Sequence, residues 1–472
     1  MVRTLTLADL IAGMGGGHTS GLEMPVTSVL DSRKAGPGAV FFAFRGENVD
    51  GHDYVADAFA RGAVAAVVER EVAVEGTVVD VPGPLPASVE TPLVLRAPDV
   101  LAALQRAASH WRMELNPRVV GVTGSVGKTT TKEVVTRVLE QRYKVLRSTG
   151  SYNNEIGLPL TILKLTAACE YLVLEMGMYV PGDIRALANI ARPHVGVLTN
   201  VEVVHAERAG SLENIARGKQ ELVEELPPEP VGVAILNFDD PWVRQMAAAT
   251  RARVLFYGLS PRADLWADEV ESLGLEGIRL CLHYGKEQLY LRVPLLGRHS
   301  VHTVLRAAAV GLVEGLNWQE IIEGLQAPGA QLRLVAVGGP QGSLILDDTY
   351  NSSPPSALAA LNLLQDLEGR KIVILGDMLE LGEYEEEGHL KVGCRVADVA
   401  AHFIAIGERA PLFLHGARLC GFPRERTHEV ESNAAAVALV ESLLEPGDVI
   451  LVKGSRALAM EEIVSALTEE AS

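Results

Sequence analysis

The sequence lacks a long apolar run, a secretory leader and an excess of positive charge. No run of roughly 18 apolar residues is present, so we expect no membrane-spanning helix. The N-terminal segment MVRTLTLADLIAG has Asp9 inside its only apolar run, which argues against a secretory signal. A formal net charge of −18 argues against a nucleic-acid partner, because binding a phosphate backbone requires many Lys and Arg. We expect a cytoplasmic monomer, and a local site for a small anion remains compatible with this charge.

Cysteine is also scarce, with 4 residues in 472. The cysteines lie far apart and form no C-x-x-C pair. In a reducing cytoplasm this pattern favours buried free thiols over disulfides or metal ligands. The four residues are Cys169, Cys281, Cys394 and Cys420.

The composition and the order of apolar segments predict a multidomain α/β protein. Apolar residues make up 48% of the chain and charged residues 22%, as in globular proteins, and the length suggests about two to four domains. Short strands around a helix predict a small α/β domain over residues 1–98. Alternating strands and helices predict a parallel sheet over residues 99–327, with a small antiparallel insertion at residues 265–291. A second alternating pattern predicts a Rossmann-like domain over residues 328–472.

The segment RVVGVTGSVGKTTTKEVV predicts a strand, a glycine-rich loop and a helix in that order. The N-terminus of a helix attracts phosphate oxygens, Lys128 would reach the β- and γ-phosphates, and the Thr129 hydroxyl would ligate Mg²⁺. Val122 stands where a standard phosphate loop has its first glycine. A glycine-rich turn without a ligand is the alternative, but G-K-T at a strand–helix junction favours nucleotide binding. The candidate loop residues are Gly124, Ser125, Val126, Gly127, Lys128, Thr129 and Thr130.

Three further residues lie where a metal site could form. Glu175 ends a predicted strand and His205 follows the next one, so both face the crevice at the carboxyl ends of the strands. Lys219 lies on the helix that follows. Because Mg²⁺ prefers oxygen ligands, chemistry alone favours a hydrogen-bonding role for His205 and a solvated position for Lys219.

These segments, taken in order, resemble the Mur ligases, the cytoplasmic ATP-dependent amide ligases that build the peptide of bacterial peptidoglycan. GVTGSVGKTT, LEMGM, TNVEVVHAERAGSLENIARGKQEL and ILNFDD resemble their central ATPase domain. DSRKAGPGAVFFAFRGENVDGHDYVADAFARGA resembles their UDP-muramoyl domain. The family uses a shortened G-x-x-G-K-[ST] loop, which accounts for Val122. The resemblance extends over residues 26–464.

Within the family, the chain is most similar to the member that joins D-alanyl-D-alanine to UDP-N-acetylmuramoyl-tripeptide. The segments that carry this similarity are STGSYNNEIGLPLTIL, DDTYNSSPPSALAAL, LGDMLELGEYEEEGH and LVKGSRALAMEEIV. The resemblance implies that ATP phosphorylates the tripeptide carboxylate and that the dipeptide amine attacks the acyl phosphate. Another Mur-type or folylpolyglutamate-type ligase is the near alternative, and a P-loop switch is the distant one.

The resemblance also implies roles for individual residues. Lys128 and its loop bind ATP, Thr129 and Glu175 hold Mg²⁺, and His205 holds a second Mg²⁺ together with Lys219. In relatives this lysine is carbamoylated by CO₂, which turns a cation into a carboxylate-like ligand. Further ATP-binding residues implied are Asn237, Arg333 and Asp348. The residues implied for the UDP-substrate are Ser32, Arg33, Asp50, Thr149, Asn153 and Asn154.

The chain departs from the family at the residues expected near adenine. The H-N-x-x-N motif of the family appears here as His299-Ser300-Val301-His302-Thr303, so both asparagines are replaced by hydroxyl residues. A hydroxyl lacks the paired donor and acceptor of an amide. Ser151 also replaces an asparagine that is usual in the substrate motif. The sequence therefore leaves the mode of adenine recognition open.

Overall fold

Three β-sheets, each with helices packed against it, follow one another along the chain. This three-sheet α/β architecture confirms the predicted fold class. Within the described part of the chain, no helix is both long and apolar enough to cross a membrane. The computed structural model describes residues 2–17, 20–46, 49–86, 89–204, 206–327 and 334–469.

The first sheet has five parallel strands in the order β1-β2-β3-β5-β4. Alternate residues of β2 enter two apolar clusters on opposite faces: Val40 and Phe42 in one, Phe41 in the other. Burial on both faces explains why the strand is apolar throughout. The elements are α1 (Leu7–Gly13), β1 (Thr27–Val29), β2 (Ala39–Phe42), α2 (Val55–Ala60), β3 (Ala65–Val68), β4 (Thr77–Asp80) and β5 (Leu93–Arg96).

The second sheet has nine strands in the order β14-β13-β12-β11-β10-β9-β6-β8-β7. Strands β6 to β12 pair in parallel, whereas β13 and β14 are antiparallel to their neighbours. The predicted antiparallel segment is confirmed, and it extends the central sheet. The elements are α3 (Val100–Leu115), β6 (Arg118–Thr123), α4 (Lys128–Glu140), β7 (Val145–Arg147), α5 (Gly157–Ile162), β8 (Tyr171–Glu175), α6 (Asp183–Ala191), β9 (Val195–Leu198), α7 (Ala206–Ala209), α8 (Leu212–Glu224), β10 (Val233–Asn237), α9 (Pro241–Gln245), β11 (Arg253–Gly258), β12 (Leu265–Ser272), β13 (Ile278–Tyr284), β14 (Glu287–Val293), α10 (Val301–Val313) and α11 (Trp318–Gln326).

The third sheet has six strands in the order β15-β16-β20-β17-β18-β19, and only β15 runs antiparallel to its neighbour. Four of the six were predicted; β15 and β19, at the two edges of the sheet, were not. The elements are β15 (Val335–Gly338), β16 (Leu344–Asp348), α12 (Pro354–Asp366), β17 (Lys371–Gly376), α13 (Glu385–Val399), β18 (His402–Ile406), α14 (Ala410–Leu419), β19 (Thr427–Val430), α15 (Asn433–Leu443), β20 (Val449–Lys453) and α16 (Glu461–Glu469).

The first and second sheets share one apolar core through α3. Leu10 of α1, Trp111 of α3 and Leu172 of β8 belong to the same buried cluster. The Asp99 side chain caps α3 by accepting a hydrogen bond from the Ala102 amide at 2.8 Å. The domain boundaries after residues 98 and 327 stay predictions.

The prediction of four free thiols is wrong for two of the cysteines. Cys394 in α13 and Cys420 at the end of α14 form a disulfide with a Cα–Cα distance of 5.2 Å. The two cysteines are 26 positions apart in the sequence, and they meet because α13 and α14 pack side by side. Cys169 and Cys281 carry free thiols, as predicted.

Candidate active site

The glycine-rich segment forms a short loop between β6 and α4. Val122 is part of β6, where it pairs with Glu175 of β8 and Val197 of β9. A strand position within a sheet does not require glycine. Gly127 caps α4 in the left-handed region, with a φ of 84°, which favours glycine at that position. Because α4 begins directly after this loop, its free N-terminal amide groups lie near the carboxyl end of β6, where an anion can bind.

The first glycine of the loop is required because the loop backbone packs closely against Thr199. Gly124 has a φ of 142°, and a Cβ added to it would lie 1.8 Å from Thr199 Oγ1. Asn200, next to that threonine, holds the loop from the other side: its carbonyl accepts from the Ser125 amide and its Oδ1 from the Val126 amide, both at 2.9 Å. The segment after β9 thus fixes the shape of the phosphate loop.

Thr129 and Glu175 meet at the carboxyl end of the sheet. Thr129 Oγ1 donates to Glu175 Oε2 at 2.8 Å, and Asn153 Nδ2 donates to Glu175 Oε1 at 2.8 Å. Thr129 and Glu175 are both buried. A hydroxyl and a carboxylate are the oxygen ligands that Mg²⁺ prefers, so this pair fits the predicted ion. Asn153, predicted for the UDP-substrate, lies against the same carboxylate.

Two lysines line the same cavity as this pair and differ in their surroundings. Lys128 Nζ donates to the carbonyls of Gly124 at 2.8 Å and Ser125 at 3.1 Å. Lys219 of α8 is buried, and burial, followed by the charge of Lys128, lowers its pKa well below the usual range. A larger fraction of Lys219 is therefore the neutral amine than of an exposed lysine.

Asn237 and Asp348 lie at the ends of strands in two different sheets. Asn237 Nδ2 donates to the Thr199 carbonyl at 2.9 Å, and its Oδ1 accepts from the Asp239 amide at 3.0 Å. Asp348 ends β16 of the third sheet and accepts from Lys453 Nζ at 2.6 Å. Lys453 ends the neighbouring strand, β20, in register with Asp348. Its role as a counter-ion was not foreseen from the sequence.

A cavity of about 1270 Å³ brings most of the predicted residues together. Leu30 of the first domain also lines it. His205 and Arg333 lie outside the described residues. The predicted residues that line the cavity are Ser125, Val126, Gly127, Lys128, Thr129, Thr130, Asn153, Asn154, Glu175, Lys219, Asn237 and Asp348.

Four residues predicted for the UDP-substrate do not line this cavity. Arg33 forms an exposed ion pair with Asp31 at 2.9 Å. Asp50 Oδ1 lies 2.6 Å from His52 Nδ1, and the amide and ring of His52 lower the pKa of Asp50 to about 2. These groups bond within the first domain. The four residues are Ser32, Arg33, Asp50 and Thr149.

The hydroxyl residues that replace the family asparagines bond within their own helix region. Ser300 Oγ donates to the Leu296 carbonyl at 2.7 Å. Thr303 Oγ1 accepts from Arg306 Nη2 at 2.8 Å. Arg306 is buried and lines the cavity, and our sequence reasoning missed it. The signal available was a basic residue in the otherwise apolar stretch VLRAAAVGLV.

Ser151, the other departure from the family, connects two domains. Its Oγ accepts a hydrogen bond from Tyr350 Oη at 2.7 Å. Tyr350 follows β16 of the third sheet, and the guanidinium of Arg456 lies 5.5 Å from the centre of its ring. All three residues line the cavity, so this contact joins the central and third domains across it.

The described architecture agrees with the matches to known proteins. Family models match residues 29–112 (Mur ligase family, catalytic domain), 122–311 (Mur ligase middle domain) and 332–456 (Mur ligase, glutamate ligase domain). The UDP-N-acetylmuramoyl-tripeptide–D-alanyl-D-alanine ligase of Bacillus subtilis is 35% identical over 93% of this chain and 92% of its own length. The chain belongs to the Mur ligase family.

Two solved MurF structures are similar to this Mur ligase over at least 94% of its length. MurF from Acinetobacter baumannii has a TM-score of 0.86 and 28% identity, covering 99% of both chains. MurF from Thermotoga maritima, solved in complex with ADP, has a TM-score of 0.79 and 27% identity, covering 94% of this chain and 97% of its own.

Proposed function

We propose that this Mur ligase uses ATP to join D-alanyl-D-alanine to UDP-N-acetylmuramoyl-tripeptide, forming ADP and phosphate in the cytoplasmic synthesis of peptidoglycan precursors. The observation that carries the proposal is that one cavity is lined by the phosphate loop, by Glu175 and Lys219, and by Asp348 of the third sheet. The activity named for the Bacillus subtilis relative, similar over 93% of this chain, supports it.

The reaction has two steps, and the first must bring two anions together. The carboxylate of the tripeptide attacks the γ-phosphorus of ATP, the bond to the ADP oxygen breaks, and an acyl phosphate forms. The dipeptide amine then attacks the acyl carbon, loses a proton and expels phosphate. Two anions meet in the first step, so Lys128 and the amides at the start of α4 serve to offset their repulsion.

Thr129 and Glu175 would hold Mg²⁺, which neutralises phosphate charge when bound. Asn153 orients Glu175 by donating to one of its oxygens at 2.8 Å. His205 and Lys219 would hold a second ion. An ammonium group has no lone pair to offer, and Mg²⁺ prefers oxygen to amine nitrogen. Lys219 would therefore serve this ion as a carbamate, which supplies oxygens.

The surroundings of Lys219 support carbamate formation. Its pKa is lowered by burial, and only a neutral amine reacts with CO₂. The amine nitrogen bonds to the carbon of CO₂ and releases a proton, which leaves an anionic carbamate. The product places an anion instead of a second positive charge near Lys128, whose charge lowers the Lys219 pKa, and opposite charges attract.

Each domain has a proposed task. Residues 1–98 bind the UDP-muramoyl part of the substrate, residues 99–327 bind ATP, and residues 328–472 bind the incoming dipeptide and close over ATP. Closure excludes water from the acyl phosphate, and alignment of two reactants can lower a barrier by about 7–11 kcal/mol. The Tyr350–Ser151 hydrogen bond at 2.7 Å lies where the two domains would close. The protein acts as a monomer in this proposal.

Coupling of the two substrates with ATP, followed by mass spectrometry of the product, tests the proposal. We expect ADP and phosphate to form only when both substrates are present. A folylpolyglutamate-type or other Mur-type ligase would require a different acceptor or amine. A P-loop switch would hydrolyse ATP with neither substrate, and that result would contradict the proposal.

Replacement of Lys219 tests the carbamate. We expect Lys219→Ala to lose activity and a short carboxylate such as acetate to restore part of it, because the acid supplies the missing oxygens. The wild-type rate should fall when CO₂ is removed. Lys286→Ala, in the exposed turn between β13 and β14, is the matched control and should keep full activity. Equal activity of Lys219→Ala and Lys286→Ala would contradict the carbamate.

A further inference from the structure

Arg306 is a buried cation beside the phosphate loop. Its relative exposure is 5%, and burial lowers its pKa. Only Tyr257 opposes this lowering, and the guanidinium carbon lies 5.9 Å from the centre of that ring. None of the carboxylates in the described ranges forms an ion pair with Arg306. A buried charge without a counter-ion is energetically unfavourable, so an anion is expected here.

The hydrogen bonds of Arg306 leave part of its donor set unused. Nη2 donates to Thr303 Oγ1 at 2.8 Å, and a side-chain hydrogen bond with Tyr257 counteracts the lowering of its pKa. Nε has no hydrogen-bond partner in the described structure. A guanidinium carries five N–H donors. The remaining donors can therefore bind a ligand.

Arg112 shows how this chain satisfies a buried arginine that has only a structural role. It is buried to 4% exposure, and burial lowers its pKa as well. Its guanidinium donates to the carbonyls of Ala191 at 2.8 Å and Arg192 at 3.0 Å, and to Asn116 Oδ1 at 3.0 Å. Arg306 lacks an equivalent set of acceptors among the described residues.

The guanidinium faces the residue that caps α4. A Cβ added to Gly127 would lie 3.4 Å from Arg306 Nη2, 3.9 Å from Nη1 and 4.0 Å from Cζ. Arg306 lines the same cavity as Lys128. The helix N-terminus already favours an anion there, and a second cation at the same place strengthens that preference.

We propose that Arg306 binds a phosphate oxygen of the nucleotide directly, beside the loop. Arginine suits this task because its planar fork can offer two parallel N–H bonds to phosphate. Thr303, at the position of a family asparagine, holds the guanidinium in place. In this chain that helix position thus supports phosphate binding. The inference rests on the proposed function only in taking the ligand to be an adenine nucleotide.

Calorimetry of the full-length protein with two probes tests the inference. The probes are ADP and inorganic pyrophosphate, each with Mg²⁺, and pyrophosphate is measured by competition against ADP. We expect Arg306→Met to weaken both by about 10- to 100-fold, as for loss of a hydrogen bond to a charged group. Arg306→Lys should lose less, because it keeps the charge but not the fork. If Arg306→Met does not fold, the affinities of Arg306→Lys still test the inference.

The controls separate a ligand contact from a structural role. Arg112→Met should leave both affinities within about twofold, since Arg112 bonds only to carbonyls and an amide. Unchanged affinities in Arg306→Met would overturn the inference, with the proposed function intact. Weaker ADP binding with unchanged pyrophosphate binding would also overturn it, because Arg306 would then act on the base. A wild-type protein that binds no ADP would overturn both the inference and the proposed function.

Discussion

Replacing Gly124 with alanine tests the packing that shapes the phosphate loop. The added Cβ would lie 1.8 Å from Thr199 Oγ1, 2.9 Å from Thr199 Cβ and 3.0 Å from the Thr199 amide nitrogen. Real Cβ atoms are essentially never found closer than 3.0 Å to another heavy atom. The φ of 142° at Gly124 is in addition unfavourable for alanine. The loop must therefore move away from β9 in the variant.

The expected cost is the sum of these two effects. Overpacking costs about 1–3 kcal/mol and a strained φ about 1–3 kcal/mol. We expect Gly124→Ala to lower the free energy of unfolding of the central domain by about 2–6 kcal/mol. ADP should bind at least about tenfold more weakly, because displaced amides no longer converge on the phosphate.

Urea unfolding and ADP calorimetry measure these effects. The relevant transition is the one that ADP shifts, because a ligand stabilises the domain that binds it. Gly315→Ala is the matched control, since Gly315 has a φ of 80° and no atom lies within 4 Å of its added Cβ. Thr199→Ala in the Gly124→Ala background should recover part of the loss by removing the 1.8 Å contact. The reasoning is refuted if Gly124→Ala is as stable as Gly315→Ala and binds ADP as tightly as the wild type.

Two further predictions concern His194 and the Lys453–Asp348 pair. Burial lowers the pKa of His194 from 6.5 to about 4. The folded protein therefore keeps its full stability with respect to this group above about pH 6.5 and loses stability as the pH falls toward 4. At pH 5 the loss is at most about 2 kcal/mol. Urea unfolding at pH 7.5 and 5 should show a flatter pH dependence for His194→Asn, and identical profiles would contradict this. Lys453→Met should destabilise the third domain by at most about 3–5 kcal/mol, because the Asp348 carboxylate, whose side chain is 11% exposed, loses its cation. Lys453→Met combined with Asp348→Leu should recover most of that loss, and equal instability of the single and double variants would refute the assignment.

Local sequence patterns predicted those structural elements that can be recognised from one short run of residues. The phosphate loop, the helix Val100–Leu115 and the position of Glu175 at the end of a strand all follow from short runs of residues. Hydrophobic periodicity and glycine placement are local properties, so they can be recognised without knowing which other segments pack against them. The edge strands β15 and β19 escaped prediction because they are four residues long and only partly buried.

The tertiary structure decided which distant side chains meet and which charges are buried. Glu175 receives hydrogen bonds from Thr129 and Asn153, which lie 46 and 22 positions away. The Cys394–Cys420 disulfide depends on the packing of two helices. The sequence by itself determined the Mur ligase class, the glycine-rich loop and the helix that follows it. Only the fold determined that Arg306 is a buried cation beside Gly127, because burial and charge compensation arise from contacts between segments that are remote in the chain.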